Sequence, residues 1–163
     1  MKILQIVTQM EAAGAQVAAI KLHEEWLKFQ TDIKTAFLYN KTSSYVHIKN
    51  VDVISEKKPF NLFSFVLFII SLVRYIYKEQ PTHVICHTTY SNLLGALLGK
   101  ICGVKNIYVV HHGLKDPEKK FANWIDRILG IYGFYQKIIC VSKAVMADYT
   151  NYPQVYKDKL ELI

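Results

Sequence analysis

Three short stretches carry side chains whose types and spacing could do chemistry. The first is Glu11-Ala12-Ala13-Gly14-Ala15-Gln16, a small-residue loop between an apolar run and an amphipathic one. Glycine lets backbone come close to a ligand. A helix starting there offers unpaired N–H groups and a positive dipole end, which suits a phosphate. From the loop alone, a tight strand-to-helix turn accounts for Gly14 equally well. The second stretch is His87-Thr88-Thr89-Tyr90 and the third His111-His112-Gly113. Histidine shares protons near neutral pH, hydroxyls bond to hydroxyls, and the Tyr90 ring could stack on a sugar or simply pack. His83, inside an apolar run, reads as a core or helix-facing residue. Zinc held by His87, His111 and His112 lacks a carboxylate or cysteine at ligand spacing to support it.

Two other nucleotide-binding loops fit poorly. A dinucleotide site needs a GxGxxG loop and an acidic residue after the second strand. Here the loop has one glycine, and Phe37-Leu38-Tyr39-Asn40 carries no carboxylate. A GxxxxGK[ST] loop does not occur.

The elements that must position these residues alternate. Lys2–Thr8, Ile33–Tyr39, His83–His87, Asn106–Val110 and Lys137–Val141 read as strands, with a short edge strand inside Val46–Ile54. Helices are expected over Gln16–Phe29, with Ala18, Leu22, Trp26 and Phe29 at helical spacing, over Asn61–Tyr77, from Ser91 or Asn92 to Cys102, around Phe121–Gly130, and over Lys143–Tyr149 behind a Ser142 cap. Pro81 ends the second helix and Gly103 the third. Alternation of this kind implies an α/β chain, a Rossmann-like doubly wound parallel sheet with helices on both faces. Ligands then bind beyond the carboxyl ends of the strands, where all three stretches fall. Leu160–Ile163 looks like the start of a further strand, as at a domain boundary.

The chain has 163 residues, 52% hydrophobic and 20% charged, a size and balance that fit one domain with one core. A formal charge of +7 points to an anionic partner. The lysines are scattered, with only Lys57–Lys58 and Lys119–Lys120 adjacent, so no basic arm for nucleic acid is present. Cys86, Cys102 and Cys140 are odd in number, lie in apolar contexts and form no CxxC, as expected for thiols in a reducing cytoplasm. MKILQIV is too short an apolar run for a signal peptide. Asn61–Tyr77 is apolar almost all round yet shorter than the roughly 20 residues that span a bilayer. It reads first as a heavily buried helix and second as a face for peripheral contact with the inner membrane surface.

In this order, three segments resemble the N-terminal domain of family 4 glycosyltransferases of the GT-B fold. AAGAQVAAIKLHEEW is similar to the family's GGAE-type loop and helix, with Ala13-Gly14-Ala15-Gln16 in the places of Gly-Gly-Ala-Glu. PTHVICHTTYSNLLGALLGKICGVKNIYVVHHG resembles its Pro-Asp-hydrophobic-His-x-His stretch, small-residue helix and strand ending His-Gly. KIICVSKAVMADY looks like the strand and serine-capped helix that close the domain. Ala13, Gln16, Thr82 and Ile85 depart from the family pattern, and the Gln16 amide can still bond a hydroxyl or a phosphate.

The resemblance implies a single Rossmann-like acceptor-side domain over residues 1–163, with the C-terminal nucleotide-sugar-binding domain absent from the chain. It implies retaining transfer of a sugar from a nucleotide-sugar donor to a saccharide or lipid-linked acceptor, in surface polysaccharide or glycolipid synthesis, with little activity from this half alone. It places Ala13, Gly14, Ala15 and Gln16 at the donor phosphates, and His112 as the catalytic residue near the anomeric carbon. The acceptor would meet His87, Thr88, Tyr90, His111 and Gly113. Neither a metal nor another cofactor is expected. The rival is a non-catalytic module of the same fold that binds a phosphorylated or sugar ligand.

Overall fold

Parallel strands covered on both faces must be apolar along their length, and each is separated from the next by a crossover. The computed structural model describes residues 1–163 and follows that rule. Strands β1 (Lys2–Met10), β2 (Asp32–Asn40), β3 (Val51–Val53), β4 (His83–His87), β5 (Asn106–His111), β6 (Lys137–Cys140) and β7 (Leu160–Leu162) form one sheet in the order β3-β2-β1-β4-β5-β6-β7. Every pairing is parallel. The helices are α1 (Gly14–Lys28), α2 (Leu62–Glu79), α3 (Thr89–Ile101), α4 (Lys120–Ile131), α5 (Lys143–Ala147) and α6 (Gln154–Lys157). A doubly wound α/β sheet is therefore the fold.

Alternate residues of each strand serve different layers. Leu4, Ile6, Ala36, Leu38, Val84, Cys86, Ile107 and Val109 pack against Phe68, Leu72 and Ile76 of α2, Leu93 and Ala96 of α3, and Leu129 of α4. On the other face Val7 and Phe37 pack against Ala19 and Ile20 of α1. Helix α3 sits close on the sheet because Gly95 has no side chain: a Cβ there would meet Cys86 Sγ at 2.6 Å.

Four sequence expectations need correction. The second helix is not heavily buried. Only Phe68, Leu72, Ile76 and Glu79 are buried, with Ile69, Val73 and Tyr75 partly so, while Leu62 is 79% and Phe63 72% exposed. One stripe is enough to seat a helix on a sheet, and an apolar remainder does not change that. Helix α1 buries Gln16, Ala19, Ile20 and His23 instead of the stripe through Ala18 and Phe29, both of which are exposed. Polar Gln16 and His23 disguise its inner face. Helix α3 begins earlier than expected, with Thr88 at the N-cap position, and Ser91 and Asn92 are buried in its first turns. The short helix α6 is an element the sequence reading lacks.

Caps and stops otherwise act as their chemistry suggests. Asn61 Oδ1 accepts from Ser64 N while Ser64 Oγ accepts from Asn61 N, a capping box at the start of α2. Ser142 Oγ accepts from Val145 N, and Gly103 takes φ +84 after α3. At the amino ends of the strands, Glu79 meets Lys34 at 2.8 Å and Lys2 at 3.1 Å. Burial would raise its pKa, but the hydrogen bonds from both lysines outweigh that and hold the carboxyl below its usual range.

The C-terminal segment is pinned by Tyr156, fully buried beside Gly130 of α4. A Cβ on Gly130 would lie 2.3 Å from the tyrosine ring. Gly130→Ala should therefore lower stability by about 1–3 kcal/mol through overpacking. A urea titration reads this directly, and an unchanged midpoint would mean that the ring is not held there.

Candidate functional site

All strands of a parallel sheet end on one edge, so the three stretches singled out in the sequence meet there. At the end of β1 the backbone turns through Ala13, in extended conformation, into α1. No side chain caps this helix, and the N–H groups of Gly14, Ala15 and Gln16 have no partner in the chain. Gly14 does not have positive φ, and a Cβ there would meet nothing within 4 Å. The turn therefore does not require a glycine. Gln16 is buried beneath this end, with Nε2 3.5 Å from Glu11 Oε1, and Lys41 balances the Glu11 charge. Hydrogen bonds from Lys41 and Gln9 hold the Glu11 carboxyl below its ordinary pKa.

At the end of β4 stands a strained residue. Thr88 has φ +82, a region that a β-branched residue seldom occupies, at a cost of about 1–3 kcal/mol. Its Oγ1 lies 2.6 Å from Thr8 Oγ1, and Thr8 Oγ1 accepts from Ser91 N at 3.1 Å. The knot Thr8–Thr88–Ser91 welds β1 to the start of α3. Tyr90 projects beyond it, half exposed, beside a cleft that also includes Gln9, Gln16 and Lys119.

Beyond β5 a cavity of about 190 Å³ is lined by Thr88, Asn92, His111, His112, Lys115 and Lys119, among others. Gly113 belongs to its wall and is exposed. Asn92 Nδ2 donates to Val110 O at 3.2 Å, while its buried Oδ1 has no partner. The two cations are engaged already: Lys119 pairs with Asp116 at 2.9 Å, and Lys115 lies over the rings of Tyr149 and Tyr152 at 4.9 and 4.5 Å.

The two adjacent histidines point to opposite layers, as successive residues of a strand must. His111 turns toward the α4 side, stacked on Tyr149 at 4.6 Å. Its Nε2 is 3.3 Å from the Tyr156 hydroxyl, which gives its own proton to buried Asp126 at 2.6 Å. Burial lowers the His111 pKa even with Asp126 nearby. His112 turns to the α1 side, where its Nε2 lies 3.0 Å from Nδ1 of His87. Burial, then the nearby His111, lowers its pKa as well.

His87 itself is buried, 3% exposed, with Nε2 2.8 Å from Gln5 Oε1. Both ring nitrogens are thus occupied by the chain. The expectation that His87 meets an acceptor directly gives way to a place one layer behind His112. Burial, with a smaller contribution from His112, pushes its pKa down to about 3. The polar line continues through Gln5 to Ala19 O and Thr35 Oγ1, both at 3.2 Å, and from Thr35 to His23 Nδ1 at 2.9 Å. It ends at Lys49 O, 3.0 Å from His23 Nε2. Sequence reasoning missed Gln5, Thr35, His23, Asn92 and Asp126. The available signal was a polar residue beside the apolar stretch of each of two strands, Gln5 between Leu4 and Ile6 and Thr35 before Ala36-Phe37-Leu38. No group of three His, Cys, Asp or Glu side chains converges as metal ligands, and His111 faces away from His87 and His112.

Comparison with solved structures finds this architecture within longer chains. HepE from Anabaena, in complex with UDP, matches over 100% of this chain and 43% of its own, with TM-score 0.78 and 14% identity. The lipopolysaccharide outer core galactosyltransferase WaaB matches over 99% of this chain and 44% of its own (TM-score 0.67, 15% identity). The UDP-GlcNAc 2-epimerase from Methanocaldococcus jannaschii matches over 99% and 45% (0.68, 15%). The chain thus spans less than half the length of each. At such identities the likeness is one of fold. The family model described as Glycosyltransferase Family 4 matches residues 3–163, and the chain belongs to that family. No curated protein sequence matches it.

A neutral histidine buried in the folded state and free in the unfolded one couples folding to pH. The unfolded chain takes up a proton below about pH 6.5, whereas folded His87 resists until about 3. Its contribution is therefore full above about pH 6.5 and drains as the pH falls toward 3. The urea midpoint should already fall between about pH 7.5 and about pH 5, where carboxylates remain ionised. His87→Gln should weaken that dependence, and a midpoint flat across this range would contradict a buried neutral His87.

Proposed function

We propose that this chain is the acceptor-side half of a retaining glycosyltransferase that moves a sugar from a nucleotide-sugar donor to a lipid-linked or saccharide acceptor. The donor-binding half would be a second domain. The observation that carries the reading is the bare N-terminus of α1 at the same sheet edge as the His112 cavity. Membership of Glycosyltransferase Family 4 supplies the reaction class, and relatives in fold are described with UDP and UDP-glucose bound.

In glycosyl transfer, positive charge builds on the anomeric carbon while negative charge builds on the departing diphosphate. Unpaired N–H groups and the dipole end of α1 suit the diphosphate, with Gly14 allowing its close approach. Ala13, Ala15 and Gln16 complete that loop. His112 would bond to a hydroxyl of the sugar or the acceptor and fix its position, while Thr88, Tyr90 and Gly113 border the acceptor path. His111, tied to Tyr156, helps hold the wall.

Beside the polar cleft lies an apolar cavity lined by Leu38, Pro59, Phe65, Phe68 and Leu94, with Thr8, Tyr39 and Tyr90 common to both. Phe60, Leu62 and Phe63 are exposed at the nearby start of α2, with Lys57 and Lys58 just before them. An apolar groove meeting a polar one suits an acceptor with a lipid tail, and exposed apolar side chains beside lysines suit an anionic membrane surface. No helix is long and apolar enough to cross a membrane.

The first test takes a polypeptide carrying both halves and measures nucleoside diphosphate release from a panel of nucleotide sugars, with lipid extract as acceptor. Acceptor-dependent release is expected. Release without any acceptor requirement, or donor binding without release, would favour a different activity or a non-catalytic module. His112→Ala should lower kcat/KM by about 100-fold or more, and normal turnover would remove it from the site. Gly14→Val should leave stability nearly unchanged yet weaken donor binding about tenfold.

Membrane contact has its own test. Sedimentation with phosphatidylglycerol-containing vesicles should recover the chain, and Leu62→Ser with Phe63→Ser should reduce that recovery several-fold. Equal recovery of both proteins would place the contact elsewhere.

A further inference from the structure

A carbonyl oxygen can only accept a hydrogen bond, and that fact assigns every proton in the buried line behind His112. Ala19 O lies 3.2 Å from the Gln5 side chain, so the atom facing it is the amide nitrogen. The second proton on that nitrogen goes to Thr35 Oγ1. Thr35 must then give its own proton to His23 Nδ1, and His23 carries its proton on Nε2, directed at Lys49 O. Both ends of this half finish on backbone carbonyls, and the assignments agree.

In the other direction Gln5 Oε1 needs a donor, which is the Nε2–H of His87. A neutral His87 then has a bare Nδ1. His112 Nε2, 3.0 Å away, must be the donor to it. Neutral His112 is left with a bare Nδ1 that has no partner in the chain, on a residue that lines the cavity. The orphan Oδ1 of Asn92 is a second acceptor belonging to the same wall.

We propose that Gln5 and His87, backed by Thr35 and His23, are positioning residues that fix the tautomer of His112, so that its Nδ1 is a permanent acceptor for a ligand hydroxyl. A phosphate oxygen or a carboxylate has no proton to offer there, whereas a sugar hydroxyl has. The relay thus assigns the His112 end of the cleft to hydroxyl recognition and leaves anions to the start of α1. The use of this tautomer in catalysis rests on the transferase reading above, but the tautomer itself does not.

The experiment is long-range 1H–15N correlation spectroscopy of the histidine rings in the 15N-labelled chain of 163 residues at about pH 7.5. His112, His87 and His23 should each show an unprotonated Nδ1 and a protonated Nε2. A proton on His112 Nδ1 in the unaltered chain overturns the proposal, whatever any variant does. Gln5→Met removes the acceptor for His87, so His112 should lose its single tautomer and show protonation at both nitrogens. His87→Gln, whose amide can donate to Gln5 and accept from His112, should keep the original pattern, while His87→Leu should lose it. If Gln5→Met does not fold, the two His87 variants make the same comparison. A His112 tautomer unchanged in both Gln5→Met and His87→Leu also overturns the proposal. In the two-domain transferase, Gln5→Met should lower kcat by at least about tenfold. The expected tautomers in a protein without transferase activity would sink the functional reading and leave the relay standing.

Discussion

Strand β1 is hydrogen-bonded on both sides, to β2 and to β4, and this parallel register is the constraint on which the molecule turns. It sets Gln5 level with Thr35 and places His87 level with Val7, one step nearer the ligand edge. An amide in the middle of a central strand, fully buried, would be costly if left unpaired, by about 1–3 kcal/mol. Here each of its atoms has a partner, so the polar group tells the two neighbouring strands how to sit. Fold and site are joined at this one side chain.

The same edge separates two kinds of recognition. At the head of α1 the protein offers donors and a positive dipole. At the end of β5 it offers bare acceptors, with its nearby lysines already engaged by Asp116 and by tyrosine rings. A net charge of +7 therefore says little about where an anion sits. What matters is which donors remain unpaired.

Much of this was legible in the sequence, for physical reasons. His83–His87 is an apolar triplet with a histidine at each end, set between Pro81 and a threonine pair, and its limits are those of β4. Ser142 and Gly103 could be read because a cap and a left-handed stop follow from single side chains. Helix α2 misled because hydropathy records what a residue prefers, not what is available to cover it. Helix α1 misled in the opposite way, since its inner face includes Gln16 and His23. The loop before α1 and the place of His112 beyond β5 could be anticipated from pattern. The relay was not, because its members lie far apart in sequence and each looks like a flaw in an apolar segment until the register brings them level.

That separation has a kinetic side. The hydrogen bond from His87 to Gln5 spans 82 positions, and the one joining Thr8 to Thr88 spans 80. During synthesis β1 emerges first and can pair with β2, but its other edge waits until β4 has been made. Closing so long a loop is slow, and an unpaired strand edge invites association with other chains in the meantime. Strand β1, paired on both sides in the finished sheet, thus keeps one edge open while the chain is being born.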